Sequence, residues 1–221
     1  MRPITLTVGP LTAASANNIA LSQTPGAAGA LTLNGSTVVN GVAVLDHARR
    51  VLITTADTTH TFTVTGTTPT GTTISEVVGP ITTSAFTTQD FLTVTSVTIN
   101  GAATAPVTVG TNGVASTPWA RMDEWARPEI SIQADVSGTV NYTVQSSNDD
   151  PNSNTNPVIP SAMTWVNSPD TNAVAATGAI QTSYGGFNAY VAISPLWVRA
   201  LLNSGTGTVT MTVVQSGVVP Y

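Results

Sequence analysis

Two histidines, each close to an aspartate, are where acid-base chemistry would have to start in this chain. His60 lies three residues after Asp57, and His47 directly follows Asp46. A Ser-His-Asp set also needs a serine on a strained elbow and N–H donors for an oxyanion, and no G-x-S-x-G or comparable motif occurs. Isolated histidines are more often surface residues than catalysts, and the spacing of these two is not that of a two-histidine metal motif. The densest run of side-chain oxygens is Asn148-Asp149-Asp150-Pro151-Asn152-Ser153-Asn154-Thr155-Asn156. Calcium takes about six to eight oxygen ligands, but this run lacks the glycine and the closing bidentate glutamate of an EF-hand loop. An exposed connection rich in turn formers accounts for it equally well. Asp123, Glu124 and Glu129 sit among Trp119, Trp125 and Pro128, a grouping that resembles the paired carboxylates and stacking aromatics of a glycosidase. The simpler reading buries Trp119 and Trp125 at the entry to a second domain, with the acids facing water or pairing with Arg121 and Arg127. No Gly-x-Gly-x-x-Gly opens a helix. The sequence therefore offers no catalytic residue, no cofactor site and no metal site.

The elements that would position such residues are strands. Threonine fills about forty of the 221 positions, lysine and cysteine are absent, and 8% of residues are charged. Threonine is β-branched, which suits a pleated strand, and its hydroxyl keeps an outward face wet without charge. Asn-Gly at 34-35, 40-41, 100-101 and 112-113, and Ser-Gly at 137-138, 204-205 and 216-217, read as hairpin turns. Between them Val51–Thr54, His60–Thr65, Thr73–Val78 and Phe91–Ile99 read as successive strands of a meander. In the second half, Ile130–Ala134 with Thr139–Val144, and Trp197–Leu202 with Thr208–Val213, read as two hairpins. They resemble each other, SGTVNYTV against TGTVTMTV, and each is associated with an arginine, Arg127 or Arg199. Chance likeness between Thr-rich hairpins and equivalent edges of a two-sheet sandwich both account for the match.

The expected fold is all-β, two β-sandwich-like domains built from antiparallel hairpins. All four tryptophans and all four tyrosines lie beyond residue 113. The boundary is placed there, with residues 1–113 forming an N-terminal β domain and 114–221 an aromatic-containing C-terminal one. Residues 1–45 are patterned loosely enough to predict an extended segment against a partner chain. A net charge of −5 with six scattered arginines argues against nucleic-acid binding. The N-terminus has no charged region leading into an apolar core, and no apolar run approaches the roughly 18 residues of a membrane span, so cytosolic synthesis and no membrane partner are expected.

The stretch from Arg50-Val51-Leu52-Ile53-Thr54 through Phe62-Thr63-Val64-Thr65-Gly66-Thr67 to Thr73-Ile74-Ser75-Glu76-Val77-Val78-Gly79-Pro80 resembles a phrase of tailed-bacteriophage virion proteins. So do SGTVNYTVQ, the DDPN loop, Thr164-Trp165 and LLNSGTGTVTMTVVQSG, and the resemblance spans residues 40 to 217. It implies a particle component made in the host bacterial cytosol and assembled on the head, collar or tail, as decoration, cement or fibre attachment. Its implied partners are other copies of itself and other virion proteins. Trp119, Trp125, Trp165 and Trp197 are the candidate subunit-interface residues, because large aromatics concentrate at interface cores. The alternative is a host-surface carbohydrate-binding or adhesin module, which would need exposed aromatics beside the Asn148 to Asn156 loop.

Overall fold

The computed structural model describes residues 3–122, 129–185 and 194–215. They form an all-β protein of antiparallel sheets in a sandwich-like arrangement. Among them no helix is long and apolar enough to cross a membrane. The chain divides into two compact units, Leu11–Ala115 and a second comprising Met1–Pro10 with Ser116–Tyr221. The boundary read at Gly113-Val114 thus lies inside a strand, and the start of the chain goes with the second unit. Strand β1 (Ile4–Val8) joins that unit by pairing with its last strand, Ile4 opposite Val213.

The first unit holds β2 (Ser15–Gln23), β3 (Gly29–Ala30), β4 (Val38–Val39), β5 (Val42–Thr54), β6 (Phe62–Thr67), β7 (Thr73–Val78), β8 (Ser84–Phe86), β9 (Phe91–Ile99) and β10 (Val107–Ser116). Its sheet runs β10-β5-β9-β6-β7, with β2 on β10, β3 on β9, and β4 and β8 on β5. Residues 15–45 are therefore strands of the chain's own sheets, with Ile19, Ala20 and Leu31 in its core, and not an arm laid on a partner. The meander is also rearranged. β8 returns to the C-terminal half of β5, Leu52 opposite Phe86, and β9 then enters between β5 and β6 instead of beside β7. Alternation places Phe62, Val64, Ile74 and Val78 inward and leaves hydroxyls to meet across the outer face. Thr65 bonds Ser75 at 2.6 Å and Thr67 bonds Thr93 at 2.7 Å, each directly opposite its partner. Asn40 and Gly41, both at positive φ, make the expected two-residue hairpin between β4 and β5. Asn112-Gly113 makes none, because it lies within β10.

The second unit is a sandwich of two sheets. One is β1-β17-β12-β15, from β12 (Ile130–Ser137), β15 (Ile180–Tyr184) and β17 (Thr208–Gln215). The other joins β14 (Val166–Asn167), β13 (Val140–Ser147) and β16 (Trp197–Gly205), with β11 (Ala120–Arg121) on β16. Ile130, Ile132, Val209, Met211 and Val213 of the first sheet and Tyr142, Val144, Val198 and Leu202 of the second are buried. The two hairpins expected here are not hairpins. β12 pairs with β17 and β13 with β16, so each Ser-Gly or Gly-Thr-Gly turn carries the chain from one sheet to the other. The two matching segments are equivalent corners of the sandwich, and they pair with each other's strands. A hairpin and an arch carry the same alternation, so sequence pattern alone cannot separate them.

The corners touch backbone to backbone. Gly207 N–H donates to the Thr139 carbonyl at 2.9 Å, and a Cβ on Gly207 would collide with the Ser137 carbonyl oxygen. Substituting Gly207→Ala is expected to destabilise the fold by about 2 kcal/mol through overpacking. Gly178→Ala, where the added carbon meets nothing within 4 Å, should change stability by less than about 0.5 kcal/mol. Thermal melts of the two variants check the contrast.

Candidate functional site

The structure brings His60 and Asp57 together, as their spacing allowed. The Asp57 carboxylate is buried; one oxygen accepts from the Thr59 and His60 backbone N–H groups, at 2.9 and 3.0 Å. Its other oxygen accepts from Thr104 N–H at 2.9 Å and lies 2.9 Å from His60 Nδ1. Burial pushes this carboxyl up, but the Thr104 N–H, the His60 ring and the two neighbouring N–H groups outweigh it and hold it well below the ordinary range. The far edge of the ring packs on Gly101, where a Cβ would overlap Nε2. Both edges of the imidazole are thus occupied, and the pair braces the loops at 57–61 and 100–104.

Asp46 is committed in the same way. Its carboxylate accepts from Thr12 N–H at 2.6 Å and His47 N–H at 3.0 Å, and Arg49 Nη1 lies 3.2 Å away. Burial pushes the carboxyl up, and the Thr12 and His47 N–H groups with the Arg49 guanidinium bring it below the ordinary value. His47 makes no pair of the His60 kind with Asp46.

In the 148–156 loop the oxygens turn inward to the chain. Asp149 accepts from Thr164 N–H at 2.6 Å, and Asp150 accepts from Asn152 N–H at 2.9 Å and sits 3.6 Å from Arg121. Ser153 Oγ accepts from Asn156 N–H at 3.1 Å. Among the described residues no three His, Cys, Asp or Glu side chains group as a metal site. Of the three carboxylates grouped with tryptophan in the sequence, Asp123 and Glu124 lie outside the described residues, as do Trp125 and Arg127.

Three of the four tryptophans converge. Trp119 lies 5.2 Å from Trp165 and 6.1 Å from Trp197, ring centre to ring centre. Strand register explains the assembly. Arg199 on β16 faces Gln145 on β13, which faces Asn167 on β14, and two residues earlier Trp197 faces both Ser147 and Arg121. Side chains at these positions share one face, so Arg199 stacks on Trp165 at 4.1 Å and Arg121 on Trp197 at 5.6 Å. Arg199 Nε donates to Gln145 Oε1 at 3.0 Å, and Gln145 Nε2 donates to Asn167 Oδ1 at 2.9 Å. Because arginine only donates, it fixes which end of the Gln145 amide accepts and hence the direction of the whole row. Trp197 and Arg199 are buried, at 7% and 5% exposure, whereas Trp119 and Trp165 are half-buried. Of the four candidate interface residues, Trp119 and Trp165 keep accessible surface, Trp197 is interior, and Trp125 lies outside the described residues. The cluster adjoins the 148–156 loop through Arg121 and Asp150, but the flat faces that a sugar would stack on are turned to arginine and to one another. The sequence showed Arg199 on a strand that repeats elsewhere; it did not show the guanidinium lying on Trp165.

No known family model matches the chain, and no curated protein matches it. The resemblance to tailed-phage virion proteins therefore rests on the motifs quoted above.

Two predictions test these assignments. Arg199→Lys keeps the charge but loses both the flat face and the Nε donor, and should lower stability by about 2 kcal/mol with an altered tryptophan emission spectrum. The lowered Asp57 and Asp46 carboxyls make stability fall in acid. Below the ordinary aspartate value of about 3.9 the unfolded chain takes up protons first, so the stabilisation present above that pH is lost as pH drops toward the folded values. The melting temperature should be level from about pH 5 to 8 and decline below about pH 4. Asp57→Asn should melt lower at neutral pH and decline less steeply in acid.

Proposed function

We propose that the chain is a non-enzymatic structural component of a tailed-phage particle, assembled in several copies on the head or in the head-tail or tail region. The observation that carries this reading is the open edge of the first unit. β7 ends the strand order and pairs on one side alone. Soluble monomers guard such edges with lysine, proline or a covering loop. β7 has none of these: its sequence is TISEVV, Val77 is 64% exposed, and its one acid is used elsewhere. Glu76 accepts from the Thr88 and Gln89 N–H groups at 2.7 and 2.8 Å, so it neither repels nor blocks an incoming strand. A neighbouring subunit that adds a strand satisfies these backbone groups and covers Val77.

The low charge supports the same reading, since few long charged side chains have to be ordered when a surface is covered. Phe86, at 51% exposure, and Leu21, at 45%, add apolar area on that unit. The carboxylates that acid catalysis would need are spent on backbone N–H groups. The test is a particle reconstruction giving this chain's position and copy number, together with the solution mass of Val77→Lys. Incorporation in several copies, reduced about tenfold or more by the edge lysine, is expected. A free monomer absent from particles overturns the proposal.

A further inference from the structure

The first unit, in which every residue is described, carries a cavity of about 420 Å³ that none of the preceding roles uses. Thr12, Asn18, Ser36, Val44, Asp46 and Arg49 are among the residues that line it. Two of these are buried polar side chains that each leave one atom without a partner. Arg49, 1% exposed, donates through Nη1 to the Thr12 carbonyl and Asp46 and through Nη2 to the Asn112 carbonyl, yet its Nε–H has no acceptor. Asn18, 6% exposed, bonds Thr111 Oγ1 through its amide nitrogen at 2.9 Å, and its Oδ1 has no donor. Leaving a buried polar group unmatched costs about 1–3 kcal/mol. Two such losses converging on one cavity call for an occupant that meets both.

The chemistry of that occupant follows from what lines the site. Arg49 and Asp46 form an ion pair, so no net charge is left to recruit an ion. No aromatic ring lines the cavity, so a nucleobase has nothing to stack on; the apolar walls are aliphatic, Val39 and Val44, exposed by 61% and 53%. Thr12 and Ser36 add hydroxyls. The volume is at the small end of ligand sites, which run from about 300 Å³. A hydroxyl group both accepts, as Arg49 Nε–H needs, and donates, as Asn18 Oδ1 needs. It serves equally well whichever way the Asn18 amide is turned, because Thr111 is also a hydroxyl. We infer that this cavity binds a neutral saccharide unit, its C–H face on Val39 and Val44 and its hydroxyls on Arg49 and Asn18. This stands apart from the particle reading and does not depend on it.

The experiment is saturation-transfer NMR of the full chain with a panel of neutral monosaccharides, with N-acetylglycinamide as an amide probe. Transfer to ring protons of at least one sugar is expected. Val44→Trp, at an exposed wall, should abolish it while leaving the melting temperature unchanged, and Asn18→Leu should weaken it about tenfold. If Asn18→Leu fails to fold, Val44→Trp decides alone. No transfer to any sugar, transfer that survives Val44→Trp, or binding of the amide probe in place of sugars overturns the inference.

Discussion

Every loop of an all-β chain has backbone N–H groups that the sheets cannot satisfy, and with no lysine and few charges this protein satisfies them with its carboxylates. Asp57 takes the N–H groups of residues 59, 60 and 104. Glu76 takes those of 88 and 89, Asp149 that of 164, and Asp170 that of 172. Asp46 ties Thr12 to the irregular middle of β5, where Arg49 then reaches the carbonyls of Thr12 and Asn112. Charge that could have done chemistry is consumed in closing loops. The two histidine-aspartate pairs of the sequence are drawn into the same task.

Hydroxyls do the complementary work on the sheets. Thr5 and Thr7 on β1 face Thr212 and Thr210 on β17, each pair 3.4 Å apart at the hydroxyls. Such rows keep a strand face wet without rotamer-rich side chains, and they leave the face able to accept a neighbour. The tryptophan cluster follows the same economy: two arginines lie on indole faces, and one of them orders a row of amides by donating into it.

Local pattern made the strands legible, and the inward set in β6, β7 and β17 follows it residue by residue. Asn40-Gly41 was legible as a turn because both residues need positive φ. Partnership was not. Asn112-Gly113 has the same letters but stays in β10, where Arg49 takes the Asn112 carbonyl from across the unit. The second-half repeats announced their equivalence, while the arch that makes them equivalent depends on which distant strand each one meets. For the sites, the tryptophans could be suspected as a group from their residue type. The cavity of Asn18 and Arg49 could not, since its lining comes from segments between Thr12 and Arg49 whose spacing follows no motif.

The pairing of β1 with β17 sets an order of events during synthesis. Thr5 emerges from the ribosome more than 200 residues before the Thr212 it faces, and Met1–Pro10 is separated from the rest of its own unit by the whole of Leu11–Ala115. That intervening unit has every strand partner it needs within one continuous stretch, so it can close while the chain is still growing. β1 has to wait, held near its destination by a folded body instead of a loose coil, which shortens the effective loop that the final pairing must close. The nested arrangement turns the most distant contact in the chain into a late and local one.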